Sequence, residues 1–413
     1  MFRTIIAPSL HANRIGRAWL YISSILLAAV VISCTEKSDP EFDRETFTRI
    51  FDQDEFSSAY YPVDFRQTPD GGYLLLAERT TGQSGFRGTY LLKADDRGNF
   101  ERDLALDGFA NPVGELMNVN GAFYFFAMDT LSLQAQLLEV DAEAEGVEVS
   151  PVSQATYPSA ATSEGDRLLL LSYNHADKTS MISAHSLTGE IVRGPRNFSI
   201  GAGEGVEEPI MNHILRTGKR FPFQVGKVSD NLYFFNGFEN YSFSLVFTDM
   251  ESDDALGVVL GQQDDGGLSA VTPLTNGKFA VSRFDFGKNY FLPGVSVPTN
   301  GPTVGSYLGG YALPELTPDA PVRILRTTAE ARNILVYASD TRSRQIGLFF
   351  YDEASGEFLS SRYLGFSNPF EIAAIIETDD EGIAIYGRTW IAGRFPRLCL
   401  FKISKEAVSR QAD

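Results

Sequence analysis

Residues 68–77 read Thr-Pro-Asp-Gly-Gly-Tyr-Leu-Leu-Leu-Ala, a turn written in Pro, Asp and Gly that runs straight into an unbroken apolar strand. A second strand follows, Tyr90-Leu-Leu-Lys-Ala-Asp95, and then a second turn, Asp96-Arg-Gly-Asn99. The same unit returns at the C-terminus: Thr378-Asp-Asp-Glu-Gly382, Ile383-Ala-Ile-Tyr-Gly387, then Leu398-Cys-Leu-Phe-Lys-Ile403. In that alignment Gly72 falls on Gly382 and Lys93 on Lys402. Between them lie five further turn-plus-strand units. Asn120-Gly121 precedes Phe123–Ala127, 164–166 precedes Leu168–Leu171, and Asp230-Asn231 precedes Leu232–Phe235. Asn276-Gly277 precedes Phe279–Val281, and Arg332-Asn333 precedes Ile334–Ala338. The units recur every roughly 45 to 65 residues, the spacing of propeller blades. Asp-Gly and Asn-Gly pairs suit tight hairpins because glycine accepts positive φ without steric cost.

The apolar runs carry the physical argument. A strand buried on one face alternates apolar and polar residues, whereas one covered on both faces reads continuously apolar. Helical periodicity is almost absent, so sheets must cover other sheets on both sides. Radial stacking of blades achieves that and shelters the strand edges. The expectation is an all-β chain folded as a β-propeller of seven four-stranded blades over residues 45–405. A multi-sheet β-sandwich is the alternative, and it would alternate more cleanly. The last unit stops after its third strand. Thr46-Phe-Thr-Arg-Ile-Phe51 precedes the first blade without a partner, so it is expected to close the ring as the outer strand of the last blade.

The turn-plus-strand units resemble the repeats of secreted bacterial β-propellers. His185-Ser-Leu-Thr-Gly-Glu-Ile-Val192 and Tyr351-Asp-Glu-Ala-Ser-Gly-Glu-Phe-Leu359 are similar to the outer hairpin of quinoprotein-like blades. Those blades are rich in tryptophan. Here Trp390 is the only one beyond the leader, which argues against a quinone, and no cofactor is expected.

The first 33 residues have the three parts of a secretory signal peptide. Arg3, Arg14 and Arg17 precede an uncharged run from Ala18 to Ser33, and the chain then turns polar. As a helix that run spans roughly 24 Å, short of a bilayer core of about 30 Å. Val31-Ile-Ser-Cys34 resembles the lipobox of bacterial lipoproteins. The resemblance implies cleavage before Cys34, acyl chains on that residue, and an outer-membrane lipoprotein on the periplasmic or surface side. Residues 34–44 would be a flexible tether and 406–413 a C-terminal tail.

Without the leader the chain holds 32 basic and 53 acidic residues, a net charge of −21. Such a charge repels phosphate backbones and excludes nucleic acid as a partner. Cys399 is then the sole remaining cysteine, so neither an internal disulfide nor a cysteine-based metal site can form. It reads as a buried strand residue. The three remaining histidines, His175, His185 and His213, are far apart, and Asp249–Asp254 lacks the glycine and spacing of a calcium loop. Neither a catalytic constellation nor a metal site emerges.

Two stretches break the blade rhythm, 193–229 and 285–320. The second offers Tyr290, Phe291, Tyr307 and Tyr311 as candidate rings for a glycan or peptide. Three functions follow from this reading. The first is a non-catalytic binding or scaffolding lipoprotein, attached to the membrane through Cys34 and serving an outer-membrane protein complex or a glycan. The second is a glycan-cleaving enzyme with paired carboxylates in the central channel. The third is an envelope spacer.

Overall fold

In the computed structural model, residues 46–52, 58–80, 86–391 and 395–412 are described. The signal peptide, Cys34 and the 34–44 tether lie outside them. All seven apolar runs become second strands of four-stranded antiparallel blades, for example Tyr73–Arg79, Ala122–Asp129 and Ile383–Trp390. The described strands form six hydrogen-bonded sheets, because blades 1 and 2 share one seven-stranded sheet. Its continuous strand Phe100–Val119 is the outer strand of blade 1 as far as Leu106 and the inner strand of blade 2 from Phe109. Each inner strand contacts the next, in the order Tyr60–Gln67, Phe100–Val119, Pro158–Glu164, Gln224–Ser229, Gly266–Pro273, Val322–Ala329, Phe370–Glu377, and the last returns to the first. That circle is a seven-bladed propeller and excludes the sandwich.

The packing explains the unbroken apolar runs. Leu74 and Leu76 pack towards blade 2, with Phe123, Phe125 and Leu138. Tyr73, Leu75 and Ala77 of the same strand pack the other way, with Ala384, Tyr386 and Leu400 of blade 7. Alternate residues therefore enter different cores, and both are apolar. Seven such clusters lie between successive blades. Cys399 is fully buried in the one between blades 6 and 7, as its strand context implies, and burial pushes its thiol far above the ordinary range.

Closure follows the expected route. Phe47–Phe51 pairs antiparallel with the third strand of blade 7, Phe47 opposite Lys402 and Phe51 opposite Leu398. The 285–320 stretch is less of an insertion than its composition suggests. Its Lys288–Val295 segment is the third strand of blade 5. Gly301–Val304 then adds in parallel to the outer strand of blade 4, and Tyr311–Ala312 returns as a short outer strand of blade 5. The C-terminal residues read as a tail form helix α2, Lys405–Ala412, whose Ala407, Val408 and Ala412 enter the core of blades 6 and 7. Helix α1, Glu208–Leu215, lies within the first long stretch, between blades 3 and 4. Among the described residues no helix is long and apolar enough to cross a membrane.

The repeated turn pairs a buried lysine with an exposed turn carboxylate. Lys93 Nζ, fully buried, donates to Asp70 Oδ2 at 2.6 Å, and Lys402 is bound to Asp380 in the same way. A Cβ on Gly72 would come within 2.6 Å of Lys93 Nζ, and one on Gly382 within 2.6 Å of Lys402 Nζ. Each would come closer still to a backbone carbonyl, Ala94 O at 2.4 Å and Ile403 O at 2.5 Å, so these glycines admit both the neighbouring strand and the ammonium. The positive φ of each turn belongs to the preceding residue, Gly71 at +83° and Glu381 at +61°. Burial alone would raise Asp70, but Lys93, Thr68 and the Gly72 N–H hold its carboxyl down to about 2.

Removing either acid strands a buried ammonium, which costs about 2–3 kcal/mol. Lys93 keeps a second carboxylate, Glu101 at 3.3 Å, whereas Lys402 falls back on the Thr378 hydroxyl. Asp380→Asn is therefore expected to lower the urea midpoint more than Asp70→Asn, and equal losses would contradict this account.

Candidate functional site

Strand direction gives the ring two unlike ends. Inner strands start, and second strands finish, at one end, called here the mouth. The opposite end carries the hairpins that follow the first and third strands of each blade. Exposed acids crowd those hairpins, among them Asp96, Asp141, Glu143, Glu145, Glu251, Asp253, Asp254, Asp379 and Glu381.

The mouth is built differently, around Tyr61 near the start of the first inner strand. The Arg87 guanidinium lies 3.6 Å from its ring centre, Arg388 5.0 Å and Arg216 5.8 Å. Arg388 is also 5.0 Å from the ring of Trp390. Four parts of the chain supply these groups. Tyr61 comes from the inner strand of blade 1, Arg87 from the approach to its third strand, Arg388 from the second strand of blade 7, and Arg216 from the end of α1.

Local sequence explains why α1 delivers Arg216 here. Pro209 opens the helix and Glu208 lies in its first turn, both favourable at a helix N-terminus. Ile210, His213 and Ile214 form one buried face. That face packs with Tyr157, Tyr173, Phe238, Phe243 and Phe284 of blades 3, 4 and 5. Arg216 caps the helix in the left-handed region, φ +56°. Glu207, just before the helix, accepts from Tyr173 Oη at 2.7 Å and is bound by His175 and Lys178. His213 has a structural role: its buried Nδ1 accepts from the Phe221 N–H at 2.8 Å.

Charges at the mouth are unevenly matched. The buried Glu78 carboxylate pairs with Arg216 and lies 3.9 Å from Arg87. Glu371 accepts from Arg388 Nε at 2.7 Å. Arg220 donates to the His213 carbonyl, and no ion pair to a carboxylate is found for it among the described residues. Its side chain is exposed to solvent, with Arg216, Arg87 and Arg388 among the neighbouring charges. Desolvation and the neighbouring Arg216 push Arg220 well below the usual arginine range, and burial with Arg216 lowers Arg87 as well. Among the described residues, the carboxylates of Glu78 and Glu371 thus face the guanidiniums of Arg87, Arg216, Arg220 and Arg388.

Deeper along the axis the acids are occupied. Asp64 accepts from the Leu116 N–H at 2.6 Å and pairs with Arg66 at 3.1 Å. Arg66 is 3.6 Å from Glu115, which accepts from Thr162 at 2.8 Å. Asp340, at the end of the second strand of blade 6, accepts from the Ile372 N–H of blade 7 at 2.7 Å. Burial, with a smaller contribution from Glu371, pushes its carboxyl up to about 7.

The four candidate rings do not converge. Phe291 is fully buried and stacks on Tyr337 between blades 5 and 6. Tyr290 is half-buried beneath Arg283, whose guanidinium is 3.8 Å from its ring centre. Tyr307 and Tyr311 are exposed on the strap that follows. The mouth residues were missed because they come singly from distant segments. The one local signal was the Glu-Glu-Pro-Ile-x-x-His-Ile pattern of α1.

Two other features at the hairpin end do not form a comparable site. A groove of about 550 Å³ lies between α2 and the turns of blades 6 and 7, with its Lys405 and Glu381 paired at 2.6 Å. Asp70, Glu101 and Glu143 bring oxygens within 4.8 Å of one another, but the Lys93 ammonium already bonds two of them.

No protein-family model and no curated protein sequence matches the chain. Similar solved structures include the β-propeller domain of the trilobed protease of Pyrococcus furiosus, at 9% identity and TM-score 0.45, covering 83% of this chain and 93% of that one. The α-L-arabinanase of Penicillium chrysogenum complexed with arabinobiose is 10% identical, TM-score 0.44, covering 88% and 98%. A GH93 α-L-arabinofuranosidase of Fusarium graminearum is 11% identical, TM-score 0.44, covering 87% and 98%. These are likenesses of propeller architecture alone.

Asp340 makes stability pH-dependent in a definite direction. Its folded-state pKa lies above the unfolded value, so the folded protein holds an extra proton between about pH 4 and 7. Its contribution is present below that window and lost as pH rises through it. Asp340→Asn keeps an acceptor for Ile372 N–H and removes the titration. The variant is expected to gain stability relative to wild type from pH 5 to pH 8, by at most about 2.6 kcal/mol. Parallel thermal melts at the two pH values would expose the opposite or a null result.

Proposed function

We propose that this protein is a lipid-tethered, non-catalytic binding module whose mouth holds the ligand. The observation that carries the binding reading is the state of the axial acids. Glu78, Glu371, Asp64 and Glu115 each face an arginine, and Asp340 is tied to a backbone N–H. A glycoside-cleaving pair needs one carboxyl free to give a proton and another free to act as base or nucleophile. Guanidiniums crowded beside rings instead suit recognition.

The tethering reading draws on the Val31–Cys34 lipobox and on the course of the first strand. That strand starts at the acidic end, where the Ser404 N–H donates to Thr46 Oγ1 at 3.2 Å. Twelve residues separate Cys34 from Thr46, a reach of roughly 40 Å at full stretch. A tether of that length would join the acyl group to the acidic end of the ring.

One observation favours the enzymatic reading, the proton held by Asp340 near neutral pH beside Glu371, since a raised carboxyl is what a general acid requires. On the binding reading Asp340→Asn leaves ligand affinity intact. Abolition of a glycan-cleaving activity in that variant would transfer the assignment to catalysis.

Fractionation tests the tether. Wild-type protein should pellet with membranes and show an acylated N-terminal Cys34 by mass spectrometry, while Cys34→Ala should appear in the soluble fraction. A variant that pellets as before would end the lipoprotein reading.

A further inference from the structure

We infer that the Tyr61 mouth is a carboxylate-binding site, formed by Arg87, Arg216, Arg220 and Arg388, for a small acidic ligand such as a uronic acid or an amino dicarboxylic acid. The inference deepens the binding reading above and rests on it.

Three observations converge on it. The first is charge imbalance. A chain with 53 acidic and 35 basic residues gathers four guanidiniums at the mouth, where among the described residues they face the carboxylates of Glu78 and Glu371, with Asp340 beneath. Unbalanced like charge in a partly desolvated space is costly, and a ligand anion removes that cost. The second is access. Arg220 is open to water, and the side chains of Arg87 and Arg388 keep about a quarter of their surface. The third is that the cluster already binds carboxylates in the manner proposed. Glu371 takes both Nε and a terminal nitrogen of Arg388, and it is the most exposed acid of the group, 38% of its side chain remaining accessible.

Glu371 therefore acts as an internal occupant that a ligand carboxylate displaces or joins. Glu78, 1% exposed, is the fixed counter-ion that keeps Arg216 and Arg87 in place. The guanidinium is the appropriate chemistry because its planar fork matches a carboxylate, and its stacking on Tyr61 and Trp390 fixes the plane in advance. No bond is made or broken in this process.

The experiment is calorimetric titration of the detergent-solubilised lipoprotein with galacturonate, glutamate and, as the uncharged control, galactose. Binding of galacturonate with no glutamate response identifies a sugar acid, and the reverse identifies an amino dicarboxylic acid. Galactose should not bind through this site, and the affinity of the acid should fall as salt rises. Arg388→Gln should weaken binding by about tenfold, the effect of one lost charge-assisted contact of about 1.4 kcal/mol. Glu371→Gln should strengthen it by about threefold, since the occupant loses its charge. The opposite signs separate a binding site from simple misfolding, because both changes break the same Arg388–Glu371 pair. Failure of both acids to bind, or equal weakening by both substitutions, would overturn the inference. Neither result would touch the tethering reading, which is judged by the fractionation of Cys34→Ala alone.

Discussion

Two-sided burial is the constraint on which this molecule depends. A blade here has no face to spare for solvent, because Leu74 and Leu76 leave it on one side and Tyr73 and Leu75 on the other. The first and last blades would each expose an apolar face if the ring were open. Closing it requires blade 7 to meet blade 1, and the chain secures that contact covalently in sequence order: its first described strand completes its last blade. Phe47 and Phe51 of that strand then sit in the cluster shared by blades 7 and 1. Opening the ring would therefore break strand pairing and apolar packing together.

The same geometry sorts charge. All hairpins that follow first and third strands must point one way, so a preference for Asp, Glu and Gly in those turns becomes a charged surface. Two of these turns bury a lysine under the first-to-second hairpin, Lys93 with Asp70 and Lys402 with Asp380, on the two blades that meet at the closure. The lysine stems fill core volume while the ammonium reaches a turn carboxylate, which is how a long polar side chain can occupy a fully buried strand. Cβ-free residues at Gly72 and Gly382 are the spatial condition for it.

Much of this architecture could be read from the sequence, and for a physical reason. Burial on both faces writes itself into consecutive residues, as in Leu168–Leu171 and Phe123–Phe126, so blade number and the closing strand follow from local pattern. The composition of 285–320 misled in part. Gly, Pro and aromatic residues there suggested a separate loop, but Lys288–Val295 is a blade strand, and Phe291 is core because the neighbouring Tyr337 and Phe349 surround it. Helix α1 is only eight residues long, too short for periodicity to stand out, although Pro209 at its start and the Ile210, His213, Ile214 spacing mark it in retrospect. Mouth residues left no pattern: Tyr61, Glu78 and Arg87 gather within blade 1, but Arg388 reaches them only through ring closure and Arg216 only through the packing of α1. A site that depends on topology is invisible to any window along the chain.

That dependence gives the mouth its electrostatic character. Residues 193–229 interrupt the blade rhythm between blades 3 and 4, yet Arg216 from this stretch ends against Glu78 of blade 1, across the mouth of the ring. Apolar packing of α1 against blades 3, 4 and 5 holds it there and places the polar end of the helix over the axis. The arginines thus stand beside the apolar cluster that holds α1, with Arg220 exposed to solvent. An anionic ligand reaching the mouth would meet guanidiniums already held in place by Glu78 and Glu371.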